Sequence, residues 1–135
     1  MMSGVFYTDT VTVYNRQEAD YEETWYPTVL TKVALFPRQS SRFNSTGVQE
    51  AINAKLYVHH IGSGYVPPKA WRALADKSEK FTFDEGDFFV KGDTSSEDHT
   101  RDNFAEYMRG KYDYCYTVAG VDEFDIIPHL EVSGK

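Results

Sequence analysis

The stretch Phe81–Asp93, FTFDEGDFFVKGD, sets two aromatic-rich runs around an acidic knot, Asp84-Glu85-Gly86-Asp87. Whether that knot holds a metal or turns the chain decides the fold class. A calcium loop of the EF-hand kind needs oxygen ligands at alternate positions, a central glycine and a glutamate in the twelfth place. Counted from Asp84, the twelfth residue is Ser95, and the pattern fails. Four residues with glycine third, between two β-prone runs, instead make a short hairpin connection. Gly86 supplies the positive φ, Asp84 bonds back to the turn amides, and Asp87 closes the turn. On this reading Lys80–Phe83 and Asp87–Gly92 are paired strands, and the chain around them is β.

Neighbouring segments agree. Phe6–Asn15 alternates apolar and polar residues and is rich in β-branched types, the pattern of a half-buried strand. Thr24–Phe36 reads as a long strand with Trp25, Val29, Val33 and Leu35 on one face and a break near Pro27, since proline is confined to edges and bulges. Ala54–Ile61, Tyr112–Asp122 and Pro128–Gly134 are further strands, the last two joined through Glu123–Ile127. The apolar-face residues Trp25, Val29, Val33, Val58, Val90 and Val118 are expected in the core. Two helices interrupt the strands. Val66–Asp76 has Pro68 at a first helical position, with Trp71 and Leu74 on one face. Ser95–Lys111 carries a Ser95/Asp98 capping pair, a Phe104, Tyr107, Met108 stripe and a stop at Gly110. Between two strands lies a long polar segment, Arg38–Ala54, with a short helix over Val48–Ala54. Loops of that length are functional or disordered. The fold class is therefore mainly β: a small, partly open antiparallel β-barrel in one domain over 1–135, with one or two short helices, loop 38–54 and a helical insertion 95–111.

The 135 residues carry 21 acidic and 14 basic side chains, a net charge of −7, which argues against a phosphate-binding surface. One cysteine, Cys115, cannot form an internal disulfide and reads as a buried strand residue in a reducing compartment. No basic-then-apolar leader and no apolar run of membrane-spanning length is present, so no membrane partner is expected. Adjacent His59 and His60 face opposite sides of a strand and cannot chelate together; His99 reads as solvated and His129 as the start of a strand. Nucleophile-elbow, Walker and dinucleotide motifs are missing. No cofactor, metal or catalytic residue is assigned, and the chain is read as a non-enzyme.

The order of parts resembles phage head–tail joining proteins of the head-closure or stopper group, with Gly86-Asp87, Lys91-Gly92, Tyr116-Thr117-Val118 and Val121-Asp122 the closest matches. The stretches WYPTVL and VPPKAW are similar to segments in structural proteins of phages of Gram-positive hosts. Ser95–Lys111 is longer than that group's connection. The resemblance implies a homo-oligomeric ring, twelve-fold or six-fold, in the virion neck after assembly in the host cytoplasm. The portal or adaptor ring lies on its head side, a tail terminator or tail tube on its tail side, and DNA passes through without sequence-specific binding. Residues Arg38, Arg42, Phe43, Asn44, Ser45, Gly47 and Gln49 fall where that group has its channel loop. Trp71 and Leu74 cap the barrel end or meet a neighbouring copy, and Phe104 and Tyr107 are expected to contact a neighbouring copy. A tail terminator or tail completion protein, and a small-ligand-binding barrel or enzyme, are the other classes this sequence admits.

Overall fold

The structure, a computed structural model, describes residues 8–19, 22–37, 53–59, 64–124 and 129–135. Six strands and two short helices follow in chain order: β1 Asp9–Ala19, β2 Glu22–Pro37, β3 Ala54–Val58, α1 Pro68–Ala73, β4 Phe88–Lys91, α2 Phe104–Lys111, β5 Cys115–Phe124 and β6 His129–Gly134. The strands hydrogen-bond in the ring order β1-β2-β3-β6-β5-β4, every pair antiparallel. Because β4 pairs with both β1 and β5, the barrel is closed where the sequence suggested a partly open one. Closure removes the unpaired edge that an open sheet exposes.

Alternation fills the interior. Val11, Val13, Leu30, Val33, Leu35, Leu56, Val58, Phe89, Val118, Leu130 and Val132 form one buried cluster. Burying a side chain of this size is worth about 1.5–3 kcal/mol, so these positions specify which face of each strand turns inward. β2 runs through Pro27, paired with Tyr14, without the expected break. Its irregularity lies further on. Asp9 pairs with Val33 while Val11 pairs with Leu30, so β2 carries one extra residue there, beside Lys32 at φ 57°. A bulge of this kind reverses the in/out parity of everything beyond it. Leu30 and, past the bulge, Val33 and Leu35 therefore point into the barrel, whereas Trp25 packs in a second cluster outside the wall. The four residues read as one face are split between two, and Val29 is only half-buried.

The second cluster is Tyr14, Trp25, Phe88, Val90, Phe104 and Met108, roofed by α2. Tyr14 stacks on Phe88 at 4.8 Å, and Phe104 meets Tyr14 edge-on at 5.1 Å. Tyr14 Oη shares a 2.6 Å hydrogen bond with Thr94 Oγ1, and burial pushes its phenol up to about 12. α2 is shorter than expected, beginning at Phe104 rather than Ser95. Ser95 and Asp98 do not form a capping box. The Asp93 carboxylate accepts the Ser95 N–H at 3.0 Å and the Asp98 carboxylate accepts the Thr100 N–H at 3.0 Å, so these side chains build turns that compete with helix.

The β3–β4 connection plugs the barrel. Phe81 and Phe83 lie in the interior cluster at 5.6 Å from each other, with the half-buried Tyr65 packed against them. Phe81 makes one isolated parallel bridge, to Tyr65, so Lys80–Phe83 is not the strand expected from its sequence. α1 begins at Pro68 as read, and buries Trp71 edge-on against Tyr26 at 5.5 Å. Lys77 Nζ donates to the Leu74 carbonyl at 2.7 Å and lies 5.1 Å from the Trp71 ring centre, closing the helix end. Among the described residues no helix is long and apolar enough to cross a membrane.

Candidate functional site

The acidic knot is a turn, as read, but not the hairpin between two strands. Asp87 N–H donates to Asp84 O at 3.0 Å, and Gly86 sits third in the turn at φ 94°. The strand after it, β4, pairs with β1 and β5, and the chain before it goes into the plug. The turn is therefore a rivet between plug and wall. Its head is the Asp87 side chain, 2% exposed. Oδ2 accepts from Asn15 Nδ2 at 2.8 Å and from Asp84 N–H at 3.0 Å, and Oδ1 accepts from Arg16 N–H at 2.9 Å. Asn15 also clamps Thr82: Nδ2 donates to its carbonyl at 2.6 Å, and Oδ1 accepts its N–H at 3.2 Å. The Asp87 carbonyl accepts from Val118 N–H at 2.8 Å, which ties the same residue to β5. Burial pushes the Asp87 carboxyl up to about 6, against the opposing pull of its three N–H donors.

Asn15 is the residue the sequence reading passed over. It follows Val11 and Val13 at the next inward position of β1, and a buried polar side chain there needs partners. That inward Asn is the signal that something polar must meet it. On the outside of the turn, Asp84 forms an exposed 2.6 Å ion pair with Arg72 of α1. The Arg16 guanidinium lies beside Gly86, where a Cβ would come within 3.3 Å of its Nη2. Gly86→Val should cost about 1–2 kcal/mol, mostly from the positive φ, because the long Arg16 side chain can move aside. Urea unfolding checks this; an unchanged midpoint would mean the turn tolerates a β-branched residue.

Of the expected contact residues, Trp71 and Phe104 are each 1% exposed. Neither is available to a neighbouring copy: Trp71 closes the barrel end and Phe104 belongs to the outer core. The helix stripe faces inward because Tyr14, Trp25, Phe88 and Val90 form an apolar patch on the wall directly under it. Leu74 and Tyr107 are half-buried. Tyr107 belongs to a polar network in which Glu97 accepts from Lys111 Nζ at 2.7 Å, from Tyr107 Oη at 3.3 Å and from Tyr112 Oη. The Lys111 hydrogen bond, ahead of that from Tyr112, holds the Glu97 carboxyl below its ordinary value. Arg101 stacks over Tyr107 at 3.7 Å. The channel-loop residues Arg38, Arg42, Phe43, Asn44, Ser45, Gly47 and Gln49 lie outside the described residues.

A cleft of about 480 Å³ opens between the β1–β2 end and the turns before α2, lined by Glu22, Glu23, Trp25, His99, Arg101 and Asp102 among others. Its charges are mixed, and among the described residues no group of three or more His, Cys, Asp or Glu could hold a metal ion. Cys115 starts β5 half-buried, and burial pushes its thiol up to about 12, far from a reactive thiolate. The large hydrophobic side chains exposed among the described residues are Phe36, Tyr114 and Phe124.

Fold and site together define a closed, six-stranded antiparallel β-barrel plugged by its own β3–β4 connection and riveted through one buried carboxylate. The chain belongs to a family of unknown function (DUF6751), whose match spans residues 6–135. No curated protein and no solved structure matches it.

Proposed function

We propose that this protein is a structural virion subunit of the phage head–tail connector, one copy of a ring below the portal or adaptor that joins head to tail around the DNA channel. The observation that carries this reading is a barrel filled by its own chain. Phe81 and Phe83 pack into the interior cluster, so the chain's own side chains fill the space that wider barrels keep for a ligand. What the fold offers to partners is its outer faces and the connections at its ends. The sequence pieces that resemble head-closure proteins also fall together. Gly86-Asp87 is the riveted turn, Lys91-Gly92 ends β4, and Tyr116–Val118 and Val121-Asp122 run along β5 beside it. A net charge of −7 suits a wall that DNA passes without being held, since phosphate contacts would retard it.

Electron microscopy of the purified protein mixed with the cognate portal tests the reading. The expected result is a ring of added density on the tail-facing end of the portal, coaxial with its channel. Protein that never adds to the portal at any ratio overturns it.

A further inference from the structure

We infer that the outer face of β2, β3, β6 and β5 is a docking surface for a second copy of this chain, related to the first by a two-fold axis running along the strands. The inference does not rest on the connector reading, because it concerns a single self-complementary face.

The strand register lays this face out as a grid. Across one level run Phe36, Lys55, Ser133 and Gly120; across the next, Ala34, Tyr57, Glu131 and Asp122; at the far level, β6 and β5 pair His129 with Phe124. An aromatic ridge crosses the grid diagonally. Phe36 meets Tyr57 edge-on at 5.5 Å, Tyr57 lies 6.2 Å from His129, and Phe124 stacks on His129 at 4.7 Å. His129 is held from the side by Glu131 at 3.0 Å. The two ends of the ridge stand open, with Phe36 43% and Phe124 40% exposed, while His129 within the ridge and Ala34 beside Tyr57 are buried, at 6% and 1% exposure. α2 covers the wall over Tyr14, Trp25, Phe88 and Val90, elsewhere around the barrel.

Complementarity picks a second copy as the occupant. A two-fold axis along the strands places β2 of one copy over β5 of the other, and β3 over β6. The exposed Phe36 ring then drops onto the low corner at Gly120 and Ser133, where a Cβ added to Gly120 would meet nothing within 4 Å. Lys55, on the Phe36 level, comes beside the other copy's Asp122 and Glu131, so one lysine of each copy faces two carboxylates of the other. Phe36 and Phe124, the exposed aromatic side chains of the face, are the kind of residue on which association energy concentrates once a partner covers them.

Light scattering after size exclusion, with sedimentation across a concentration series, reads the contact. A dimer is expected. Phe36→Ser should weaken its dissociation constant about tenfold or more. Gly120→Trp fills the receiving corner and should do the same while the monomer keeps its native circular dichroism, because a Cβ at that position meets nothing within 4 Å. Asp122→Lys should weaken the dimer, and adding Lys55→Asp should recover much of the loss. A protein monomeric throughout the series overturns the inference. So does any oligomer whose dissociation is unchanged by both Phe36→Ser and Gly120→Trp.

Discussion

Replacing Asp87 with alanine should destabilise the protein by roughly 3 kcal/mol at pH 4, because Arg16 N–H and Asp84 N–H lose their acceptor inside the wall. The pH dependence separates this from ordinary loss of packing. A carboxyl raised from 3.8 to about 6 by burial binds its proton more tightly folded than unfolded. Its favourable contribution is fully present below pH 4 and is lost as pH rises through 6. Two units correspond to about 3 kcal/mol. Asp87→Asn keeps the volume and removes the titration, so the difference between parent and Asn variant isolates this group. The other shifted carboxylates, Asp76, Asp93, Glu97 and Asp98, are instead lowered by their hydrogen bonds, so their contribution is lost as pH falls and runs opposite to that of Asp87. Urea unfolding at pH 4, 5, 6 and 7 should show the parent losing stability relative to Asp87→Asn as pH rises. A difference that is flat or moves the other way would mean that the three N–H donors outweigh burial and the carboxyl titrates near its ordinary value.

The rivet also shows what a sequence can and cannot convey about such a fold. Strands β1, β3, β5 and β6 were legible because alternation of Val, Leu and Tyr with polar residues is a local signal. The turn at Asp84–Asp87 was legible because Gly86 must take positive φ. Asp87's partners were not, since Asn15 and Arg16 lie more than seventy residues away and only barrel closure brings them together. The bulge at Lys32 escaped for a related reason. A period of two says which residues share a face only while no extra residue intervenes, and nothing in Thr31-Lys32 announces one. Ser95–Asn103 was overread as helix because its Ser, Asp and Thr residues are good caps, and good caps are also good turn formers. The aromatic ridge was hidden because Phe36, Tyr57, Phe124 and His129 belong to four strands of which only β5 and β6 are joined by a short connection.

Phe104→Ala should destabilise the protein by about 3–5 kcal/mol, the range for deleting a buried phenylalanine, whatever the oligomeric state. From sequence alone this ring belongs on a surface, because the segment before it carries almost no apolar residue and a short helix so poorly anchored ought to lie loosely on the barrel. The structure gives it a different anchor. Phe104 sits among Tyr14, Trp25 and Phe88 at centroid distances of 5.1, 6.3 and 5.8 Å, so one side chain joins β1, β2 and β4 from outside. Removing it leaves a void lined by three rings that are themselves fixed by strand pairing and cannot collapse into it. Tyr107→Phe, in contrast, deletes only a hydroxyl whose 3.3 Å hydrogen bond goes to Glu97, a carboxylate that keeps Lys111 and Tyr112 as donors, and should change stability by less than about 1 kcal/mol. The two variants, compared by urea unfolding and near-ultraviolet circular dichroism, distinguish a structural α2 from a docking α2. A large loss for Phe104→Ala with native-like behaviour of Tyr107→Phe places the helix in the monomer's own core. A stable, folded Phe104→Ala would return that face to the surface and make α2 the first place to look for a neighbouring subunit.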